Sequence, residues 1–301
     1  MIDPPVLRGR ERYERVTDGW VDNTHVEAFT YTVRISDPER SVEASVVAEP
    51  SPTYEIREAA CRPLAGEVDA AVIERFGRLA GVRMVAGLTR RVAETLGRGA
   101  GVPLLVDAAI EAARLARQVA KFPRERAERT AGGNAWEAWQ LDMVAWAGQP
   151  DSCFTYSAAG RELFQRRAVT TPMHPDLYSP RAGQARVFVR RKVARLERAG
   201  GRLRAVHSMH DNAHGFEITY ELDLETGRIV RAESLTPRLP YTGICSEPQG
   251  RIRALLGETV DDGLPKRLQA LLGGVSGCAQ LYDLTADLLK LLAATSRPEP
   301  R

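Results

Sequence analysis

The chain contains part of itself twice, and this repetition limits the folds open to it. Residues 76–107 align without a gap onto 252–283, and ten of those 32 positions are identical: Leu79/Leu255, Gly81/Gly257, Gly87/Gly263, Leu88/Leu264, Arg91/Arg267, Leu96/Leu272, Gly97/Gly273, Gly101/Gly277, Leu105/Leu281 and Asp107/Asp283. A tetrapeptide also recurs. Asp22-Asn23-Thr24-His25 returns as Asp211-Asn212-Ala213-His214, and each copy runs into an alternating apolar/polar stretch. Two copies of one apolar pattern bury their faces in the same way, so we read a tandem duplication of one unit.

Period-two patterns open each copy. Phe29, Tyr31, Val33 and Ile35 alternate with Thr30, Thr32 and Arg34; Phe216, Ile218, Tyr220, Leu222 and Leu224 alternate with Glu217, Thr219, Glu221 and Asp223. Such alternation marks half-buried antiparallel strands. Turn signals at Ser36-Asp37-Pro38 and Glu225-Thr226-Gly227 precede further strands at 41–48 and 228–235, and Ala199-Gly200-Gly201 joins strands at 186–197 and 202–208. Three-to-four spacing then predicts helices over 70–82, 87–97 and 103–120, and over 248–257, 264–272 and 279–293. Gly97 and Gly273 stand where left-handed C-caps are expected. The fold class is therefore α+β: an antiparallel β-meander followed by helices, twice. The units are 1–122 and 186–301, with a helical linker at 123–185.

In the linker, Trp136, Trp139, Met143 and Trp146 follow the spacing of one helical face, and a helix is expected around 157–167. Three prolines make 171–180 an irregular loop of the kind that lines pockets. The tail Ser296–Arg301 reads as frayed.

Composition narrows the function classes. Forty-two basic against 39 acidic residues give a net charge of +3, no basis for nucleic-acid binding. The short runs Arg166-Arg167 and Arg190-Arg191-Lys192 read as solvated faces. No apolar stretch reaches the ~20 residues that span a bilayer, and the first residues lack a secretory pattern. Four cysteines in 301 residues do not make a disulfide framework. These features predict a cytoplasmic protein with free thiols and no membrane partner. The Ala- and Arg-rich composition is that of a bacterial protein. Oligomeric state is not legible.

Chemistry concentrates in the second unit. His207, His210 and His214 fall within eight residues around a turn, where imidazoles could gather to move protons or hold a metal. Asp211 would orient an imidazole, and Asp-Asn also has its own reason to occupy a turn. Cys245 follows the last strand, and Cys278 opens the last helix, where the helix terminus is expected to lower its pKa. Cys61 lies roughly where Cys245 does. The candidate catalytic residues are His214, His210, Asp211, Cys245 and Cys278. The candidate substrate-binding residues are Tyr178, Arg181, Tyr241 and His174, with Arg suited to a carboxylate. The segment Asp151-Ser152-Cys153-Phe154-Thr155-Tyr156 adds further polar groups. No zinc signature, phosphate loop or nucleophile elbow is present.

Tyr241-x-x-x-Cys245, the Leu-x-Gly helix and Leu-Gly-Gly-Val-Ser-Gly-Cys-Ala-Gln-Leu at 272–281 resemble a bacterial domain of unknown function. That family's pattern has a strand-opening His, a Tyr-x-x-Cys-like step and a Gly-Cys-Thr-His-Leu segment. His214, Cys245 and Cys278 fall on it; the first unit matches more loosely through His25, Gly81, Gly97 and Gly101. The resemblance covers both units but not 123–185. It departs at the family's second His, where Gln280 and Leu104 stand, so the metal site that the pattern would permit is incomplete. The family brings no settled activity.

Two functions compete at this point. One is a cofactor-independent lyase, isomerase or hydrolase acting on a small ligand, an aromatic acid being the expected type. The other is a non-catalytic binding or assembly protein built on a pseudo-twofold duplication. A zinc site on Cys245, Cys278 and a histidine is a third reading.

Overall fold

The structure, a computed structural model, describes residues 3–131 and 134–292. The tail Ser296–Arg301 lies outside the described residues. Eight strands are found among them: β1 (Arg12–Asp22), β2 (Phe29–Ser36), β3 (Ser41–Ala48), β4 (Ile56–Ala65), β5 (Phe188–Ala199), β6 (Arg202–Asp211), β7 (Gly215–Asp223) and β8 (Ile229–Arg238). They hydrogen-bond in the order β4-β3-β2-β1-β5-β6-β7-β8. The β1–β2, β2–β3, β3–β4, β6–β7 and β7–β8 ladders are antiparallel. Helices are α1 (Ala70–Gly77), α2 (Leu88–Leu96), α3 (Val102–Leu115), α4 (Arg124–Ala131), α5 (Ala135–Ala145), α6 (Ala158–Phe164), α7 (Pro175–Tyr178), α8 (Leu264–Leu272) and α9 (Ala279–Leu292). Strands and helices are thus both present in an α+β arrangement.

The chain divides into two compact units. The N-terminal unit holds Arg15–Gln149 and Pro172–Arg191; the C-terminal unit holds the described parts of Met1–Glu14, Pro150–Thr171 and Lys192–Arg301. Of the segment 123–185, the part 150–171 goes with the C-terminal unit and the rest with the N-terminal one.

In the N-terminal unit one face of β2 and β3 supplies Phe29, Tyr31, Val33, Ile35, Val42, Ala44 and Val46 to the core. Val72 and Phe76 of α1, Val92 and Leu96 of α2, and Leu105, Ala108 and Leu115 of α3 close over them. The alternation read in the sequence is therefore the burial pattern itself. Two strands escaped it. β1 interleaves charges with its few apolar residues, and β4 is a largely exposed strand carrying Pro63, tolerable at a sheet edge where no N–H is needed. Neither glycine takes the expected left-handed cap: Gly97 has a positive φ (65°) but ψ −129°, and Gly273 is extended (φ −98°). The expected helix at 248–257 is a 3₁₀ helix, Glu247–Leu255. The Pro-rich loop contains α7, since Pro175 sits at the first helical position where a missing N–H costs nothing. Trp139 is buried in α5, and Trp146 lies just past the helix with its ring N–H on the Val119 carbonyl at 3.1 Å.

In the C-terminal unit Ala194, Leu196, Leu203, Ala205, Phe216, Ile218, Tyr220 and Leu222 pack with Leu264, Leu268 and Leu272 of α8 and Leu281, Leu284 and Leu288 of α9. Gly277, just before α9, has a spatial role: a Cβ there would stand 2.0 Å from the Leu272 carbonyl oxygen.

The run Arg190-Arg191-Lys192 is not the solvated face expected. Strand alternation turns Arg191 outward to Asp18 (2.7 Å) and sends Arg190 and Lys192 inward. Each buried cation meets a helical carboxylate in its own unit. Arg190 faces Glu111 of α3 at 3.4 Å, with Arg114 on the same carboxylate at 3.2 Å. Lys192 meets Asp287 of α9 at 2.7 Å, with Lys290 at 3.3 Å. Removing one member of a buried pair is strongly destabilising, at a cost of about 3 kcal/mol or more. Glu111→Gln is therefore expected to lower unfolding free energy by about 3 kcal/mol in urea titration. The double variant Glu111→Met/Arg190→Met should recover most of that loss.

Candidate functional site

The β6–β7 hairpin carries the histidine-rich stretch, and the strand period separates its rings. His207 is buried, with Nδ1 2.9 Å from the Leu284 carbonyl of α9. His210 lies on the opposite face and is exposed. His207 and His210 do not gather at one point as the sequence suggested they could, because odd and even strand positions face opposite ways.

One pair does form. Asp211 ends β6 and closes the turn by accepting from the backbone N–H groups of Ala213 (2.8 Å) and His214 (2.6 Å). The same carboxylate receives the His214 ring: Nδ1 lies 3.0 Å from Oδ1 and 3.2 Å from Oδ2. The Asp211 side chain is fully buried and that of His214 one-tenth exposed. The Arg238 guanidinium donates to the Asp211 carbonyl and ties the turn to the end of β8. A carboxylate on Nδ1 fixes the proton there and leaves Nε2 with the lone pair. Among the described residues Nε2 has no hydrogen-bond partner.

The matching tetrapeptide at the end of β1 does different work. Asp22 accepts the Arg186 N–H (2.7 Å), and Asn23 donates to the Pro180 and Arg181 carbonyls (3.0 and 2.8 Å). His25 is exposed and offers only its carbonyl, to Lys121. No His–Asp pair forms there.

Three of the four thiols form a second cluster in the C-terminal unit. Cys245 Sγ and Thr155 Oγ1 share a hydrogen bond at 3.1 Å. The Phe154 N–H donates to the Gly277 carbonyl (2.9 Å), which brings the neighbouring Cys153 and Cys278 together. Cys153 and Cys245 each lie near enough to Cys278 that a thiolate on one would disfavour a thiolate on the other. The Gln249 amide donates to the Cys245 carbonyl (2.8 Å) and its side chain lies against the Cys278 thiol. Tyr241 is buried beside them, edge-on to Tyr156 and Phe164 at 6.3 and 5.4 Å between ring centres.

The helix terminus does not activate Cys278. Burial pushes its thiol up, outweighing the backbone N–H groups of Leu281 and Gln280 that favour the thiolate. Burial likewise raises Cys245 against the Thr155 hydrogen bond, and lifts Cys153 to about 11. Cys61 is no counterpart of Cys245: it sits within β4 of the other unit, and burial raises it to about 11. His214 is bonded to none of these thiols. Among the described residues no group of three or more His, Cys, Asp or Glu side chains could hold a metal ion.

The remaining candidates fall in the N-terminal unit and serve its packing. Tyr178 is fully buried and donates its hydroxyl to Asp142. His174 caps α7 by accepting the Asp176 N–H at 3.3 Å. Arg181 is exposed, and its carbonyl is taken by Asn23. Tyr178, His174 and Arg181 thus belong to a different unit from His214, Asp211, Cys245, Cys278 and Tyr241. Sequence reasoning had no means of placing Cys153 and Thr155 beside Cys245, about ninety residues away, and it missed Arg238 and Gln249 altogether.

The comparison with known families bears on this same stretch. Residues 183–293 match the model of a family described as a protein of unknown function (DUF2889). The match takes in Asp211, His214, Tyr241, Cys245 and Cys278 but not Cys153 or Thr155, and covers less than half of the chain. It agrees with the resemblance to an uncharacterised family and brings no activity. No curated protein and no solved structure matches the chain. Among the described residues no helix is long and apolar enough to cross a membrane.

Thiols with raised pKa values hold less thiolate, and thiolate is the reactive form. At pH 8 a thiol of pKa near 11 is roughly one part in a thousand ionised, against about a quarter for a free cysteine. Iodoacetamide labelling with peptide mapping should therefore modify Cys61 and Cys153 of the folded protein at least ~50-fold more slowly than glutathione, and Cys245 and Cys278 more slowly than glutathione as well. One residue labelling as fast as glutathione would mark an activated nucleophile and refute this assignment.

Proposed function

We propose that the C-terminal unit is a cofactor-independent acid/base enzyme acting on a small molecule, with His214 as the proton-transferring group. The observation that carries this reading is the seating of His214 Nδ1 on the buried Asp211 carboxylate at 3.0 and 3.2 Å. With Nδ1–H held, Nε2 takes a proton from the substrate and returns it at another position or to a leaving group. That chemistry suits an isomerase, lyase or hydrolase, and an aromatic or acidic metabolite remains the expected substrate type. The raised thiols make Cys245 and Cys278 walls of the neighbouring region rather than nucleophiles. The zinc alternative gains nothing from ligand geometry. Four free cysteines fit a reducing, cytoplasmic setting.

We further propose that the chain is a tandem duplication at a constant offset of 176 residues, as from Leu88 to Leu264. At that offset α2 overlies α8 end to end, and α3 and α9 differ by one residue. Arg75 and Arg251, so related, each donate to carbonyls at the end of the next helix, Leu96 in one unit and Leu271 in the other. Glu111 and Arg114 of α3 likewise correspond to Asp287 and Lys290 of α9. The recurring Asp-Asn tetrapeptide falls outside this register, because it ends β1 in one copy and β6 in the other. His25 and His214 are therefore not equivalent. The positions matching Asp211 and His214 are Ile35 and Pro38, so the pair is a feature of the second copy alone.

A solvent-exchange screen tests the catalytic reading while the substrate is still unidentified. Small keto, hydroxy and aromatic carboxylic acids are incubated with enzyme in D₂O and followed by proton NMR. At least one should exchange a C–H proton, and His214→Gln should slow that exchange by about 100-fold or more. Asp211→Asn should slow it as well and change the His214 tautomer seen in ¹⁵N shifts. Exchange by His214→Gln at the wild-type rate, or none by wild type with any compound, would favour the non-catalytic binding or assembly protein.

A further inference from the structure

The N-terminal unit holds an unexplained group of buried donors. Tyr31 lies on the inward face of β2 and is fully buried; Tyr54, in the turn between β3 and β4, is 1% exposed. Arg117 follows the end of α3, and its guanidinium stands over the Tyr54 ring at 5.0 Å. The Tyr31 hydroxyl, the Tyr54 hydroxyl and Arg117 Nη1 are all buried, and none has a hydrogen-bond partner among the described residues. Tyr31 and Tyr54 lie close enough for their charges to interact, so the three groups form one neighbourhood. The Ser51 hydroxyl and the Ala147 N–H approach the Tyr54 phenol oxygen as donors that favour its phenolate, and Ser51 Oγ itself accepts the Ala147 N–H at 2.9 Å, so what stays unmet at Tyr54 is its own O–H.

The chemistry of the set is one-sided. A guanidinium donates only and stays charged at any ordinary pH. Burial raises both phenols, which keeps them protonated and able to donate. Among the described residues no carboxylate pairs with Arg117. Buried polar atoms are nearly always satisfied in folded proteins, and three unsatisfied donors in one neighbourhood call for an acceptor from outside the chain. Tyr54 also holds a left-handed backbone (φ 53°), which a bulky side chain adopts only when its surroundings fix it. The turn is held in place by the Met84 N–H on the Tyr54 carbonyl at 2.8 Å.

We propose that Tyr31, Tyr54 and Arg117 form a binding site for a compact oxyanion, the carboxylate or phosphate group of a small ligand. The guanidinium supplies the charge and one N–H, and the phenols supply two further donors. The site is separate from the His214–Asp211 pair and belongs to the other unit. It gives the N-terminal unit a binding role of its own.

The full chain is titrated by calorimetry and thermal melting with sodium phosphate, acetate or benzoate, ionic strength being held with sodium chloride. Saturable binding and a rising melting temperature are expected with at least one anion. Preference for phosphate points to a phosphoryl ligand, and preference for acetate or benzoate to a carboxylic acid. Arg117→Gln should weaken binding at least tenfold. Tyr31→Phe and Tyr54→Phe, which remove one oxygen each and keep the ring, should weaken it several-fold while the fold stays intact by circular dichroism. No saturable binding of any of the three anions, or equal binding by wild type and Arg117→Gln, would overturn the proposal and leave the three atoms to water.

Discussion

A charge taken out of water must find its opposite, and β5 brings two such charges inside. Arg190 and Lys192 sit two positions apart on one strand face, and each is neutralised by a carboxylate on the 14-residue helix of its unit, Glu111 of α3 or Asp287 of α9. Apolar contacts alone would let a helix slide or turn on the strands it covers. A buried ion pair does not, because a small displacement leaves a charge unpaired in a poorly polarisable interior. The pairs therefore fix how α3 and α9 lie on their strands. That placement in turn sets where the Leu284 carbonyl meets His207 in one unit and where Arg117 emerges from α3 in the other.

The His214–Asp211 pair grows out of turn chemistry. An aspartate that caps a tight turn with two backbone N–H groups is already buried and oriented, so a histidine three residues later reaches it with little further ordering. The same tetrapeptide at the end of β1 spends its side chains on backbone groups of 180–186, and no pair forms. The same residue types thus do different work in the two places, and the surrounding chain decides whether they become a site. The thiols show the reverse situation. Cys245 and Cys278 occupy positions that suggest activation, but desolvation opposes the thiolate more strongly than nearby N–H groups favour it.

Much of the fold was legible because apolar periodicity is a burial pattern written along the chain. The alternation of Phe29, Tyr31, Val33 and Ile35, and the helical spacing of 264–272, translate directly into core faces. β1 and β4 were not legible, since a strand rich in charge or largely exposed lacks that alternation. The site was legible only where its members are neighbours in sequence, as Asp211 and His214 are. Cys153, Thr155 and Cys245 carried the right chemistry with nothing to join them. Tyr178 and Arg181 looked like ligand-binding residues and are occupied in packing and backbone contacts.

The sequence by itself determined the type of every strongly periodic element, the repeated helical pattern and the turn at Asp211-Asn212, because each depends on residues within a few positions of one another. Tertiary structure decided the rest: that Arg190 and Lys192 are buried while Arg191 is not, that His207 and His210 part company, that three thiols become neighbours, and that Tyr31, Tyr54 and Arg117 come together from separate segments. Burial and partnership depend on which distant segments cover a side chain, and that is settled only when the chain closes over itself.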